Sequence, residues 1–205
     1  RNVAERILKE KPVGLRFLSP MRVAAALLFI IALISSLTLF NRDVVYAMER
    51  AVSRLSNYHG VIEMRTRNAA GEEWLVRKAE IWSEGEKYMI KQADGTLIVN
   101  NGDKKWQVTP QDQKVTIFPL FPDTTFRSFD LMDEAKMARK YPHTIIGKET
   151  VAGREATKIA ISPPGGMEYY LWVDTETNLP VRLQTAMQNA LQTTYTFLSF
   201  EPNIE

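Results

Sequence analysis

Between Gly60 and Phe118 the chain is cut into short runs by closely spaced turn signals, and this punctuation restricts the fold more than any other feature. Asn68-Ala69-Ala70-Gly71 separates Gly60–Arg67 from Glu73–Trp82, and Ser83-Glu84-Gly85-Glu86 leads into Lys87–Gln92. Asp94-Gly95 then precedes Thr96–Val99, Asn101-Gly102-Asp103 precedes Lys105–Val108, and Thr109–Asp112 precedes Lys114–Phe118. Asn-Gly and Asp-Gly are strong hairpin signals because the tight turn needs positive φ, which these residues tolerate. The pattern predicts six strands in one antiparallel meander. Within Glu73–Trp82, alternation predicts Trp74, Val76, Lys78, Glu80 and Trp82 on one face and Leu75, Arg77, Ala79 and Ile81 on the other.

Five more strands follow the same logic: Thr144–Val151, Glu155–Ser162, Glu168–Val173, Pro180–Thr185 and Thr193–Phe200. Ahead of the first strand, Val45, Met48, Val52 and Leu55 recur at helical spacing, predicting a helix to about Asn57 with one apolar face. A second helix is expected between the sixth and seventh strands, capped by Ser128 or Asp130 and ended near Lys140 by Tyr141-Pro142. The expected class is mainly β with helices (α+β), an antiparallel sheet of about eleven strands that curls while the helices cover its open side.

Upstream, the eighteen residues Val23–Phe40 carry no charge. As a helix they would extend roughly 27 Å, close to the ~30 Å hydrocarbon core, which predicts one transmembrane helix over 23–40. Residues 1–22 form a basic tail with six Lys/Arg against two Glu. By the positive-inside rule that tail is cytoplasmic and the domain over 44–205 is extracytoplasmic, a single-pass arrangement in the cell membrane. The alternative is a cleavable signal, with Val45-Tyr46-Ala47 offering a cut after Ala47 and release of a secreted or periplasmic domain. The length of the run and the residues before it favour the uncleaved anchor.

The whole chain has a net charge of +2, so beyond the basic tail it is slightly acidic and lacks the electrostatic footprint of a nucleic-acid binder. With no cysteine, thiolate chemistry and cysteine-ligated metals are excluded. There is no P-loop, HExxH, G-x-S-x-G or helix-opening GxGxxG. The two histidines, His59 and His143, are far apart in sequence. No catalytic residue, metal or cofactor is expected.

One segment breaks the strand pattern. IFPLFPDTTFRSFDLM, residues 117–132, holds four of the nine phenylalanines and two prolines, so it is neither one strand nor one helix. Leaving four Phe in water would forfeit roughly 1.5–3 kcal/mol each, a sum comparable to the marginal stability of a domain. Two readings bury these rings. The segment is either a fixed plug that completes the core or a lid over an apolar cavity that admits a lipid chain. The candidate ligand-binding residues are Phe118, Leu120, Phe121, Phe126, Phe129 and Met132 on the segment, facing Ile62, Met64 and Met89 on the sheet.

Leu171-Trp-Val-Asp-Thr-Glu-Thr-Asn-Leu-Pro-Val-Arg-Leu-Gln-Thr185 resembles a strand–acidic turn–strand unit of the lipoprotein-carrier superfamily. That group holds the LolA and LolB carriers and the N-terminal domain of the RseB/MucB regulators of envelope-stress sigma factors. The step Gly147–Lys158, with its Val-Ala-Gly-Arg, and the run from the first helix into Leu55–Ile62 are similar to it as well. The likeness covers about Val44 to Phe200. It implies an unclosed antiparallel half-barrel with helices lidding a hydrophobic cavity for acyl chains or lipoproteins, without catalysis. It tilts the Phe-rich segment from plug toward lid. The regulator branch implies an alternative, an envelope-stress sensor domain of a transmembrane anti-sigma factor or sigma-factor regulator, with a regulatory protein as partner. LolA-type carriers place an Arg just after the Trp strand, whereas here Trp82 is followed by Ser83-Glu84-Gly85.

Overall fold

The structure is a computed structural model that describes residues 44–119 and 131–204. The expected membrane helix over 23–40 lies outside the described residues. Among those residues no helix is long and apolar enough to cross a membrane.

Helix α1 covers residues 44–54. Six strands follow: β1 (Asn57–Asn68), β2 (Glu73–Glu84), β3 (Lys87–Gln92), β4 (Leu97–Asn100), β5 (Lys105–Thr109) and β6 (Lys114–Phe118). Then come α2 (Leu131–Ala138), β7 (His143–Val151), β8 (Arg154–Ile161), β9 (Tyr169–Asp174), β10 (Pro180–Gln184) and β11 (Leu191–Pro202). The expected element order is reproduced. One end differs: α1 stops at Arg54, not near Asn57. Ser56 donates from its amide and its hydroxyl to Asn203 Oδ1, at 3.1 and 3.0 Å, and the Asn203 amide donates to the Asn57 carbonyl at 2.8 Å. These bonds pull the chain out of the helix and into the sheet.

All eleven strands form one antiparallel sheet in the order β6-β5-β4-β3-β2-β1-β11-β10-β9-β8-β7. Two meanders therefore meet only where the first strand pairs with the last. The sheet does not close, because β6 and β7 are its two edges. Helix α2 stands in the chain between these two edges, and its buried side packs on the inner face of the sheet.

Alternation assigns the faces. Tyr58 and Ile62, Ala79 and Ile81, Tyr88 and Ile90, and Ile98 point to one side, with Ile159, Leu171, Val173 and Phe197 from the second meander. Val45, Met48 and Val52 of α1 and Leu131, Met132, Ala135 and Ala138 of α2 complete this single buried cluster. The helices cover one face, which fixes the other as the outer face.

A bulge organises the junction of the two meanders. Val61 faces Ser199 but Ile62 faces Phe197, so Leu198 is the extra residue of β11. The slip turns Phe197 and Phe200 to the same side, where strict alternation would separate them. Their ring centroids lie 4.8 Å apart, and Tyr58 sits 6.0 and 5.2 Å from them. Gly60 fills the space beneath: a Cβ there would lie 2.8 Å from the Ser199 carbonyl oxygen and 3.0 Å from the Phe197 ring. We predict that Gly60→Ala destabilises the domain by about 1–3 kcal/mol through overpacking at this junction. Urea denaturation should show a lower midpoint with an unchanged m-value.

Candidate functional site

The site sits where α1, α2 and the β1–β2 end of the sheet converge. Helix α2 buries Leu131, Met132, Ala135 and Ala138, one helical stripe, and carries Asp133 and Glu134 in its first turn and Lys136 in its last. That charge order suits the helix dipole. Arg139, just past its end, donates to Glu49 Oε2 of α1 at 2.7 Å, and its guanidinium lies 5.5 Å from the Tyr46 ring centroid. The pair is partly exposed and ties the helices at a worth of about 0.2–1 kcal/mol.

Beneath them lies a cavity of about 100 Å³ walled by Val52, Leu55, Tyr58 and Met132 and rimmed by Ser56, Ser83, Glu86 and Lys136. It is far smaller than the 300–1,000 Å³, approximately, of ordinary ligand pockets. Asn57, also on its wall, has its Oδ1 buried without a hydrogen-bond partner. The Tyr169 hydroxyl is likewise buried, beside the Glu134 carboxylate. Burial foremost, then the nearby Glu134 carboxylate, push that phenol well above its ordinary pKa.

The sequence candidates fall in three places. Ile62 is fully buried, Met64 packs half-buried against the same core, and Met132 is buried on α2 beside the small cavity. Phe118 is half-buried at the end of the cross-strand row Tyr58, Ser83, Tyr88, Asn100, Lys105 and Phe118. Lys105, only 6% exposed, puts a cation in that otherwise largely covered row. Leu120, Phe121, Phe126 and Phe129 lie outside the described residues.

Met89 does not face Ile62, a correction to the sequence expectation. It alternates with Tyr88 and Ile90, which are in the core, and its cross-strand neighbours are Trp82 and Val99 on the outer face. It nevertheless borders a cavity of about 420 Å³ at this end of the sheet, lined by Trp82, Lys87 and Asn101 and also by the core-facing Tyr58 and Tyr88. Trp74 is also displaced from its expected face. Arg65 pairs with Leu75 and Met64 with Arg77, so Val76 is a bulge. The slip puts Trp74 opposite Thr66, on the Ile62 side, while Trp82 stacks on His59 on the outer face at 4.8 Å. Residue-type reading also missed Tyr58 and Lys105; their strict two-residue step with Ile62 and Gln107 is the signal that places them.

The outer face of the second meander is polar and aromatic. Leu171 and Val173 enter the core, whereas Trp172 between them joins Val151, Ala156 and Val181 on the other side. Lys158 and Arg182 lie 4.8 and 5.5 Å from the Trp172 ring centroid, and the indole Nε1 donates to Glu149 Oε2 at 2.9 Å. Asp174 closes the adjacent turn by accepting from the Glu176 and Thr177 amides at 2.9 and 2.8 Å. This accounts physically for the Leu-Trp-Val-Asp…Leu-Pro-Val-Arg pattern as a two-faced strand pair with a capped turn.

The Trp172 bond, helped by Lys158 and Arg182, holds the Glu149 carboxyl below its ordinary pKa. A depressed carboxyl contributes stability above its unfolded value of about 4.3 and loses it as pH falls through the folded value. We predict that Glu149→Gln, which keeps an acceptor for the indole, gives a flatter loss of the urea midpoint between about pH 5 and 3 than the parent chain.

Among the described residues no cluster of His, Asp and Glu is arranged to hold a metal ion. His59 is tied to Glu80 at 2.9 Å with Glu201 at 3.6 Å, and His143 Nδ1 lies 3.1 Å from the Tyr141 carbonyl oxygen.

A search of curated protein sequences finds no match. Among solved structures, the Pseudomonas aeruginosa MucA/MucB complex aligns with TM-score 0.50 and 19% identity, covering 80% of this chain and 57% of that one. This chain thus spans little more than half of that protein. The Mycobacterium tuberculosis lipoprotein LppX aligns with TM-score 0.50 and 13% identity over 76% of this chain and 92% of its own. LprF from Mycobacterium bovis gives TM-score 0.50 and 10% identity over 78% and 91%. These likenesses establish the fold. The family model described as the MucB/RseB N-terminal domain matches residues 41–203, and the chain belongs to that family.

Proposed function

We propose that this chain is a membrane-anchored extracytoplasmic domain that binds acyl chains or lipoproteins under α1 and α2, without catalysis. The observation that carries this reading is the edge-to-edge connection between β6 and β7. It lays α2 over the apolar inner face, and its buried contacts come from side chains that a hydrocarbon chain can replace. The cavity of about 100 Å³ is a closed state. Occupation requires α2 to shift, which would also give the buried Asn57 and Tyr169 oxygens access to a ligand or water. Residues 23–40 supply the anchor and the Phe-rich segment ahead of α2 supplies further lining.

A second reading is favoured by the family itself. As a MucB/RseB-type domain, it serves as an envelope-stress sensor whose occupied state alters its grip on a regulatory protein such as a transmembrane anti-sigma factor. The two readings share one cavity and differ in what occupation does.

We predict that delipidated chain takes up a fluorescent fatty-acid probe and that Phe121→Asp combined with Phe126→Asp lowers uptake at least tenfold. Arg139→Ala should speed uptake by about two- to fivefold, the kinetic equivalent of removing a partly exposed ion pair. No uptake by the parent chain, or uptake indifferent to the double substitution, sinks the binding reading.

A further inference from the structure

Helix α1 has a second working face. Val45, Met48 and Val52 point into the core. Around the helix, Ala47, Arg50, Ala51 and Arg54 border a separate groove of about 790 Å³, closed on its far side by Leu179 and Pro202. Two alanines one turn apart leave the room for it. Its volume is within the range of about 300–1,000 Å³ typical of small-ligand sites, and several times that of the space beneath α2.

The charged lining is two arginines, with the hydroxyls of Tyr46 and Thr177 and the carboxamides of Asn178 and Asn203 around them. Arg50 and Arg54 stand one helical turn apart, where residues four positions apart are neighbours. Neither makes an ion pair or hydrogen bond among the described residues. Asn203 spends its Oδ1 on Ser56, accepting twice, which leaves its amide donors. Among the described residues no carboxylate borders the groove. Two adjacent guanidinium forks match an oxyanion with several acceptors, such as a phosphate or carboxylate, through charge-assisted bidentate bonds. Ala51, Leu55, Leu179 and Pro202 supply an apolar wall beside them.

We propose that this groove is a binding site for a small amphiphilic anion, a phosphate or carboxylate head on a short apolar body. Short-chain alkyl phosphates and carboxylates are the matching class. The site is distinct from the one beneath α2, with Leu55 alone bordering both.

The test uses the full chain in neutral dodecyl maltoside micelles and calorimetric titration with hexyl phosphate. Hexyl phosphate should bind at least tenfold more tightly than either inorganic phosphate or hexanol. Arg50→Ala with Arg54→Ala should lower that affinity at least tenfold. Ala51→Leu, which fills the groove and keeps both arginines, should do the same, with circular dichroism and Tm unchanged in both variants. Phe121→Asp with Phe126→Asp should leave hexyl phosphate binding intact, which separates this site from the proposed lipid cavity. Binding that survives the arginine or the groove-filling change overturns the proposal. So does inorganic phosphate or hexanol binding as tightly as hexyl phosphate, or triglutamate binding more tightly, which would mark a protein-docking surface instead.

Discussion

The pairing of β1 with β11 is the interaction on which the rest of the structure depends. Every other strand contact is between sequence neighbours, and such hairpins cost little loop entropy to form. The β1–β11 ladder joins residues more than a hundred positions apart and converts two separate meanders into one sheet. Its bulge at Leu198 brings Phe197 and Phe200 together over Gly60 and beside Tyr58, so this long-range pairing is also closely packed. Both helices pack into one core cluster that draws residues from the two meanders.

The energetics of α2 follow from what it buries. Leu131 and Met132 are each worth about 1.5–3 kcal/mol removed from water, and the two alanines add less. The Arg139–Glu49 tie contributes at most about 1 kcal/mol. Packing, rather than the ion pair, therefore holds the helix down. A ligand that displaced it would have to restore most of that apolar contact, which a hydrocarbon chain can do and a polar metabolite cannot. The same comparison explains why α1 behaves differently. Its core face is committed to the sheet, while its Ala and Arg face keeps open space.

The turn chemistry made most of the fold legible. Asn101-Gly102, Asp94-Gly95 and the Asp174–Asn178 turn mark the strand ends, and Lys87–Gln92 and Lys114–Phe118 coincide with observed strands. What could not be read were the places where alternation slips, at Val76, Leu198, Ile146 and Val181. Nothing in the residue types around Val76 or Leu198 announces a bulge, yet each reverses the face of everything beyond it, and Trp74 is misplaced for that reason. Met89 differs from the expectation for another reason: its alternation with Tyr88 and Ile90 turns it outward. Pairing of the first strand with the last was beyond local reasoning because it depends on tertiary packing. The second face of α1 was visible as Ala47, Ala51, Arg50 and Arg54 on one side of a helix, but without the turn at Leu179 opposite it, no groove could be inferred.

The β1–β11 ladder has a mechanical corollary. Tyr58 lies opposite Pro202, and the Asn203 amide is bonded to Asn57, so the chain arrives at and leaves the sheet at the same end of the same strand pair. Tension applied between α1 and the segment after β11 would load this ladder as a zipper, one rung after another, rather than shearing all rungs together. Each rung would carry the full force in turn, and the two meanders would part along the seam beneath Gly60 while their own hairpins stayed intact. A domain built this way is soft along one axis, which coincides with the line joining whatever is attached at its two ends.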